Sequence, residues 1–116
     1  MKQVRFLFIL FFALSTQQVW AQDAAIKTDT IVVKGNCSMC KERIEEACYM
    51  PGVKKALWNA STQKLIVIYK PSKVSLQQIT QQIVAVGHDA AQSKASDAAY
   101  KKLPDCCSYR SKKCDN

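Results

Sequence analysis

Cys37 and Cys40 are two thiols three positions apart in the stretch Gly35-Asn36-Cys37-Ser38-Met39-Cys40. The residues before them read as a strand and those after as a helix. The first thiol therefore lies in a loop and the second in the first helical turn, where their sulfurs can converge. Free N–H groups and the dipole at a helix N-terminus favour thiolate over thiol, and Lys41 adds positive charge nearby. Two thiolates suit soft ions: Cu(I) best, Hg(II) by the same two-sulfur chemistry, and Zn(II) where further ligands complete a tetrahedron. Cd(II) also accepts thiolates. An exposed loop would admit a partner's thiol, so that metal passes by ligand exchange. The competing readings of the pair are a structural disulfide and a redox couple.

The elements that must position this pair follow from the flanking pattern. Thr28 to Val33 is rich in Thr, Ile and Val and is expected to be a strand. Cys40 to Met50 reads as a helix, with Cys40, Ile44, Ala47 and Cys48 forming one apolar stripe. Pro51-Gly52 stops it. Val53 to Trp58 and Lys64 to Tyr69 read as two strands joined through the polar residues 59–63. Ser75 and Gln78 form a capping box with Val74 placed to staple onto Ile79. The helix that follows would bury Leu76, Ile79, Ile83 and Val86 and end at Gly87. A fourth strand is expected from Asp89 to about Lys94.

The order strand, helix, strand, strand, helix, strand predicts an α+β, ferredoxin-like βαββαβ sandwich, an antiparallel sheet with two helices on one face. Right-handed crossovers place the first and third strands at its centre. The other face meets water. Leu65 to Tyr69 is apolar throughout, so Trp58, Ile66 and Ile68 are all candidates for that open face, either as a patch covered by the tail or as a docking or dimer surface.

The run from Thr30 to Ala47, with Cys37-Ser38-Met39-Cys40 at its centre, resembles the heavy-metal-associated domain. So do Pro51-Gly52-Val53, Ala60-Ser61-Thr62, Tyr69-Lys70-Pro71 and Gly87-His88 at their places along the chain. That family includes copper chaperones, metal-binding domains of copper-transporting ATPases and a periplasmic mercury-binding protein. The resemblance covers about Thr28 to Lys94. It implies the ferredoxin-like fold, with Cys37 and Cys40 as metal ligands. The family usually has Gly-Met-x-Cys before its first ligand; here that register holds Lys34, Gly35 and Asn36, and the Met is missing.

The ends of the chain set its context. Lys2 and Arg5 precede the apolar run Phe6 to Leu14, and Val19-Trp20-Ala21 is a small-residue cleavage pattern. This reads as a signal peptide over residues 1–21, cut after Ala21, which implies a periplasmic or secreted protein. Residues 22–27 are then a short lead, 28–94 the metal-associated domain, and 95–116 a basic, Cys-containing tail. No later segment is apolar and long enough to insert in a membrane. Loss of Lys2 and Arg5 takes the formal charge from +8 to +6. The remaining basic residues are scattered, so nucleic acid is not an expected partner.

All six cysteines fall after residue 21. In an oxidising compartment an even count points first to disulfides, so a disulfide-stapled interaction module is one rival to metal transport. A thiol–disulfide oxidoreductase is another, opposed by the short chain, the absence of Trp-Cys before the pair and the element order. Cys48 lies on the helix stripe and reads as a buried, inert thiol. Met39 offers a soft thioether beside the site but reads first as a packing or idle residue, and Met50 as helix-end packing. His88 is expected near the metal loop, as a partly buried loop residue or a third ligand whose binding would weaken in acid. For Cys106, Cys107 and Cys114 the pattern leaves three arrangements open. These are a bond from one of the vicinal pair to Cys114, a cluster that supplies extra soft ligands, and a tail that folds back to close or mask the Cys37–Cys40 site. The functional expectation is a non-enzymatic carrier or sequestrant of one soft ion. Its partners would be that metal and a metal-transporting membrane protein or another copper protein.

Overall fold

The computed structural model describes residues 25–111. The proposed leader and Cys114 lie outside them. The elements in chain order are β1 (Lys27–Val32), α1 (Ser38–Ala47), β2 (Val53–Asn59), β3 (Lys64–Tyr69), α2 (Leu76–Ala85) and α3 (Asp97–Lys101), followed by a 3₁₀ turn at Asp105–Cys107. The sheet is antiparallel in the order β1-β3-β2. Ile31 pairs with Leu65, and Trp58 meets Leu65 from the other side. The ferredoxin-like expectation holds for the three strands and the two main helices.

The hairpin forms where the polar link predicts it. The Asn59 side chain accepts from the N–H groups of Ser61 and Thr62 at 2.9 and 3.1 Å, an Asx-type turn that fixes the tip locally. Ser75 and Gln78 form the expected capping box at the start of α2. Val74, Ile79 and Ile83 are buried beneath it. α1 ends at Ala47, short of Met50, because the N–H groups of Cys48 and Tyr49 turn back to the carbonyls of Glu45 and Glu46. That tightening releases the chain into Pro51-Gly52.

The fourth strand does not form. Residues 89–94 make one bridge to the sheet, Val33 with Ala90, and Ala90 bridges back to Ser93. Ala91 adopts a left-handed φ of 52°, and the Asp89 carboxylate accepts from Ala95 N–H at 2.8 Å. The segment closes on itself as a turn, so β3 is central and, among the described residues, the outer edge of the sheet beside β1 is met only by this bridge. α3 and the 3₁₀ turn lie beyond the expected domain; Ser96 caps α3 by accepting from Ala99 N–H at 3.1 Å.

The sheet's inner face carries Ile31, Val33, Leu65, Val67, Tyr69 and Trp58, packed against Cys40, Ile44, Cys48, Ile79 and Ile83. Trp58 is 1% exposed, whereas Leu57 and Ile66 are about half exposed on the opposite face. Of the three candidates for the open face, Trp58 is therefore internal and Ile66 external. A bulge between Val53 and Lys55 sets that alternation in β2. The Trp58 Nε1–H donates to the Val33 carbonyl at 3.0 Å, which satisfies the one polar atom of the ring.

Gly35 lies against this ring. A Cβ at that position would stand 3.0 Å from Cys40 Cβ and 3.0 Å from two Trp58 ring atoms. We expect Gly35→Ala to lower unfolding free energy by about 1–3 kcal/mol, the usual cost of overpacking. Urea denaturation followed by Trp fluorescence measures it; an unchanged midpoint would show that the ring yields freely.

Candidate metal centre

Cys37 is the cap residue of α1, in extended backbone with φ −143° and ψ 179°. Its carbonyl accepts from Lys41 N–H at 3.1 Å, so the first turn starts at the thiol-bearing residue itself. Cys40 lies one turn on, fully buried on the stripe with Ile44 and Cys48. The two sulfurs are 3.7 Å apart and unbonded. Asn36 N–H points at the Cys40 sulfur at 3.3 Å. The loop is fixed from outside the motif by Gln63, whose Nε2 donates to the Gly35 carbonyl at 2.7 Å. Its own carbonyl accepts from Val33 N–H at 2.9 Å.

A third sulfur joins the pair. Cys37, Cys40 and Cys107 bring their Sγ atoms within 4.8 Å of one another. Cys107 is fully buried and comes from the 3₁₀ turn of the C-terminal segment. Its vicinal neighbour does something else. The Cys106 thiol meets Met39 Sδ at 3.2 Å, and its carbonyl lies 3.5 Å from Cys37 Sγ. Cys37, Cys40, Cys48 and Cys107 all carry free thiols.

His88 is fully buried, yet lies outside the three-sulfur group. Its Nδ1 is 2.7 Å from the Lys34 carbonyl. A carbonyl only accepts, so Nδ1 carries the proton and the neutral ring keeps its lone pair on Nε2, which is buried without a partner. The ring stacks on Tyr109 at 5.5 Å. It braces the strand leading into the loop from behind.

Environment separates the thiols. Burial pushes Cys37 upward, but the N–H of Cys40, the thiols of Cys106 and Cys40 and the N–H of Met39 outweigh it and bring its pKa down to about 7. Burial raises Cys48 to about 12, helped by Glu45, and its thiol donates to the Ile44 carbonyl at 3.2 Å. Burial, then the Cys40 sulfur, pushes Cys107 up strongly. Contact with Cys37, then burial, raises Cys106. Lys41, expected to lend its charge to the thiols, instead pairs with Glu45 and donates to the Trp58 carbonyl at 3.1 Å. The helix terminus and local N–H groups do that work without it.

The C-terminal segment is tied down on both sides of Cys107. Leu103 is buried, and it approaches Gly87 so closely that a Cβ there would stand 3.0 Å from Leu103 Cγ and 2.8 Å from the Ala99 carbonyl. Gly87 also holds φ at 105°, where glycine is favoured. Tyr109 donates its hydroxyl to the Gly87 carbonyl at 2.8 Å and accepts from Asp89 N–H at 2.9 Å. Arg110 pairs with Asp89 at 2.7 Å and Asp97 at 3.3 Å, and stacks 4.4 Å over Tyr100. Sequence reasoning missed Gln63, Tyr109 and Arg110. The acidic residues at 89 and 97 were the only signal for the last.

A ferredoxin-like domain with converging, unbonded thiols at its first loop–helix junction defines a small domain suited to a soft metal. No family model matches the chain. Among solved structures, the CopZ metallochaperone is 30% identical with a TM-score of 0.54, covering 56% of this chain and 100% of that one. Oxidized MerP from Ralstonia metallidurans is 28% identical with a TM-score of 0.55, covering 58% and 96% respectively. A zinc-transporting ATPase of Synechocystis sp. is 35% identical over 77 residues, which are 65% of this chain but only 11% of the ATPase. The chain belongs to the heavy-metal-associated domain family.

At limiting iodoacetamide the first adduct should form on Cys37, with a rate rising through a midpoint near the pKa of about 7, while Cys48 stays unmodified until denaturant is added. Peptide mass mapping across pH 5.5–9 reads this out, the flanking range being chosen to span about two units around a perturbed thiol; first modification at Cys106 would contradict the assignment. Burial, opposed by the Lys34 hydrogen bond, lowers the pKa of His88. A base depressed in the folded state stabilises the fold above its unfolded pKa of about 6.5 and loses that contribution as pH falls toward the folded value. Urea stability should therefore drop between about pH 7 and 5, and His88→Gln should flatten that slope. An equal slope in both proteins would assign the acid sensitivity elsewhere.

Proposed function

We propose that this chain is an exported, non-enzymatic carrier of a soft metal ion, Cu(I) first and Hg(II) by the same chemistry. The observation that carries this reading is the convergence of unbonded cysteine sulfurs at the start of α1. Cys37 holds the acidic thiol at the partly buried rim, and Cys40 is anchored in the core. The ion is cargo. Thiolate sulfur matches Cu(I), which is content with few ligands, whereas a structural Zn(II) site takes four, and the described residues bring three together.

Ligand exchange suits the layout. A donor's thiolate displaced from the metal gives way to Cys37 at the rim, and Cys40 follows from beneath; a recipient reverses the order. The similarity to a metallochaperone and to an ATPase domain supports a membrane transporter or another copper protein as recipient. The leader-like residues 1–21 support a periplasmic or secreted location. The free thiols of Cys37, Cys40 and Cys107 favour metal binding over a stapled module.

Replacement of both residues, Cys37→Ser with Cys40→Ser, should abolish tight Cu(I) binding under reducing conditions, measured by competition with a chromogenic Cu(I) chelator. Unchanged stoichiometry and affinity in that double variant would overturn the reading.

A further inference from the structure

We propose that Cys107 is the third ligand of the metal site and that residues 95–111 act as a cap built into the chain. The inference rests on the metal-binding reading above and specifies how that site is completed and closed.

The spacing of the sulfurs carries it. With a metal–thiolate bond of about 2.3 Å, two sulfurs on opposite sides of a linear ion stand about 4.6 Å apart, while three around a trigonal ion stand about 4.0 Å apart. Cys37 and Cys40 are 3.7 Å apart, well short of the linear span. An ion held by both at that spacing would be bent and open to a third ligand. Cys107 Sγ stands within 4.8 Å of each. It is fully buried. Nothing in an apolar core requires a third sulfur at this point, and the other buried thiol, Cys48, bonds a backbone carbonyl instead.

The rest of the segment holds Cys107 in place. Leu103 anchors it in the core, and the 3₁₀ turn closes by Cys107 N–H donating to the Pro104 carbonyl at 2.8 Å. Tyr109 fastens it to Gly87 and Asp89, and Arg110 clasps Asp89, Asp97 and the Ala95 carbonyl. The cap therefore fills the position that an incoming partner thiol needs during exchange. Cargo leaves when the cap lifts, or when a partner displaces Cys107 first. The vicinal Cys106 remains at the rim, on Met39 and Cys37, as the next thiol a departing ion meets.

X-ray absorption at the copper edge of the Cu(I)-loaded full-length protein, with its leader removed, tests the assignment. Wild type and Cys106→Ser should show three sulfur neighbours, and Cys107→Ser two. Stopped-flow removal by a bidentate Cu(I) chelator should be roughly 10–100-fold faster for Cys107→Ser, on the scale by which supporting groups tune metal sites. It should also be faster for Arg110→Ala, which retains all three sulfurs. Two sulfurs in wild type, or three persisting in Cys107→Ser, would overturn the proposal, and the wild-type coordination number decides even if Cys107→Ser misfolds. Failure of wild type to bind Cu(I) at all would overturn the underlying carrier reading. Binding that needs Cys37 and Cys40 but shows two sulfurs would overturn the cap alone.

Discussion

The indole of Trp58 is the contact on which the metal loop depends. Its ring lies against Gly35, its Nε1–H donates to the Val33 carbonyl, and its backbone N–H donates to Glu45 of α1 at 2.9 Å. One residue thus joins β2, the end of β1, the loop and the helix. A buried Trp of this kind contributes about 3–5 kcal/mol by comparison with truncation to Ala. It also makes sense of the chain's departure from its family. The Met that ordinarily precedes the first ligand is Gly35 here, and the ring occupies the space that a longer side chain would need.

That support lets the two thiols of one motif live in different media. Cys40 is held in the core and Cys37 stands at the rim, where helix N–H groups favour its thiolate. Ligand exchange needs this asymmetry, since one ligand must move while the other keeps the ion in register. Cys48 shows the contrasting outcome one turn beyond Ile44. The same side chain, buried and bonded to a carbonyl, is driven toward a neutral thiol and becomes part of the packing. Reactivity here follows burial and N–H donors rather than residue type.

Local rules made much of the fold legible. The Thr-Ile-Val run, the Ser75–Gln78 box and the hairpin tip at Asn59 each depend on neighbours in sequence, and each forms. Asp89 to Lys94 has only two alanines as apolar residues and no β-branched one, and it turns back through a left-handed Ala91 and an Asp89 side chain that accepts from Ala95 N–H. Lys41 misled because its ion pair lies along the helix with Glu45 rather than toward the loop. The loop–helix setting of Cys37 and Cys40 could be read from pattern. Which of Cys106 and Cys107 turns inward could not, because the two are adjacent and a single turn of 3₁₀ helix sends them to opposite sides. Gln63 was hidden for the same reason: its value lies in a contact with Gly35, 28 residues earlier.

The capped site balances two demands on a carrier. Holding a soft ion against competing thiols calls for a third ligand, whereas handing it over calls for an open position. The C-terminal segment meets both by dividing its attachments between kinds of force. Leu103 and Cys107 are buried, and their contribution is insensitive to salt. The Arg110–Asp89 pair, which ties the segment to residues 89–94, has both side chains partly exposed, so it weakens with ionic strength and yields to a competing charged surface. A recipient presenting carboxylates beside its own thiol could take Arg110 and open the outer edge of the cap before touching the metal. The strand that the fold lacks contributes to the same end. Residues 89–94 turn back instead of extending β1's edge, and so place Asp89 where Arg110 and Tyr109 can reach it.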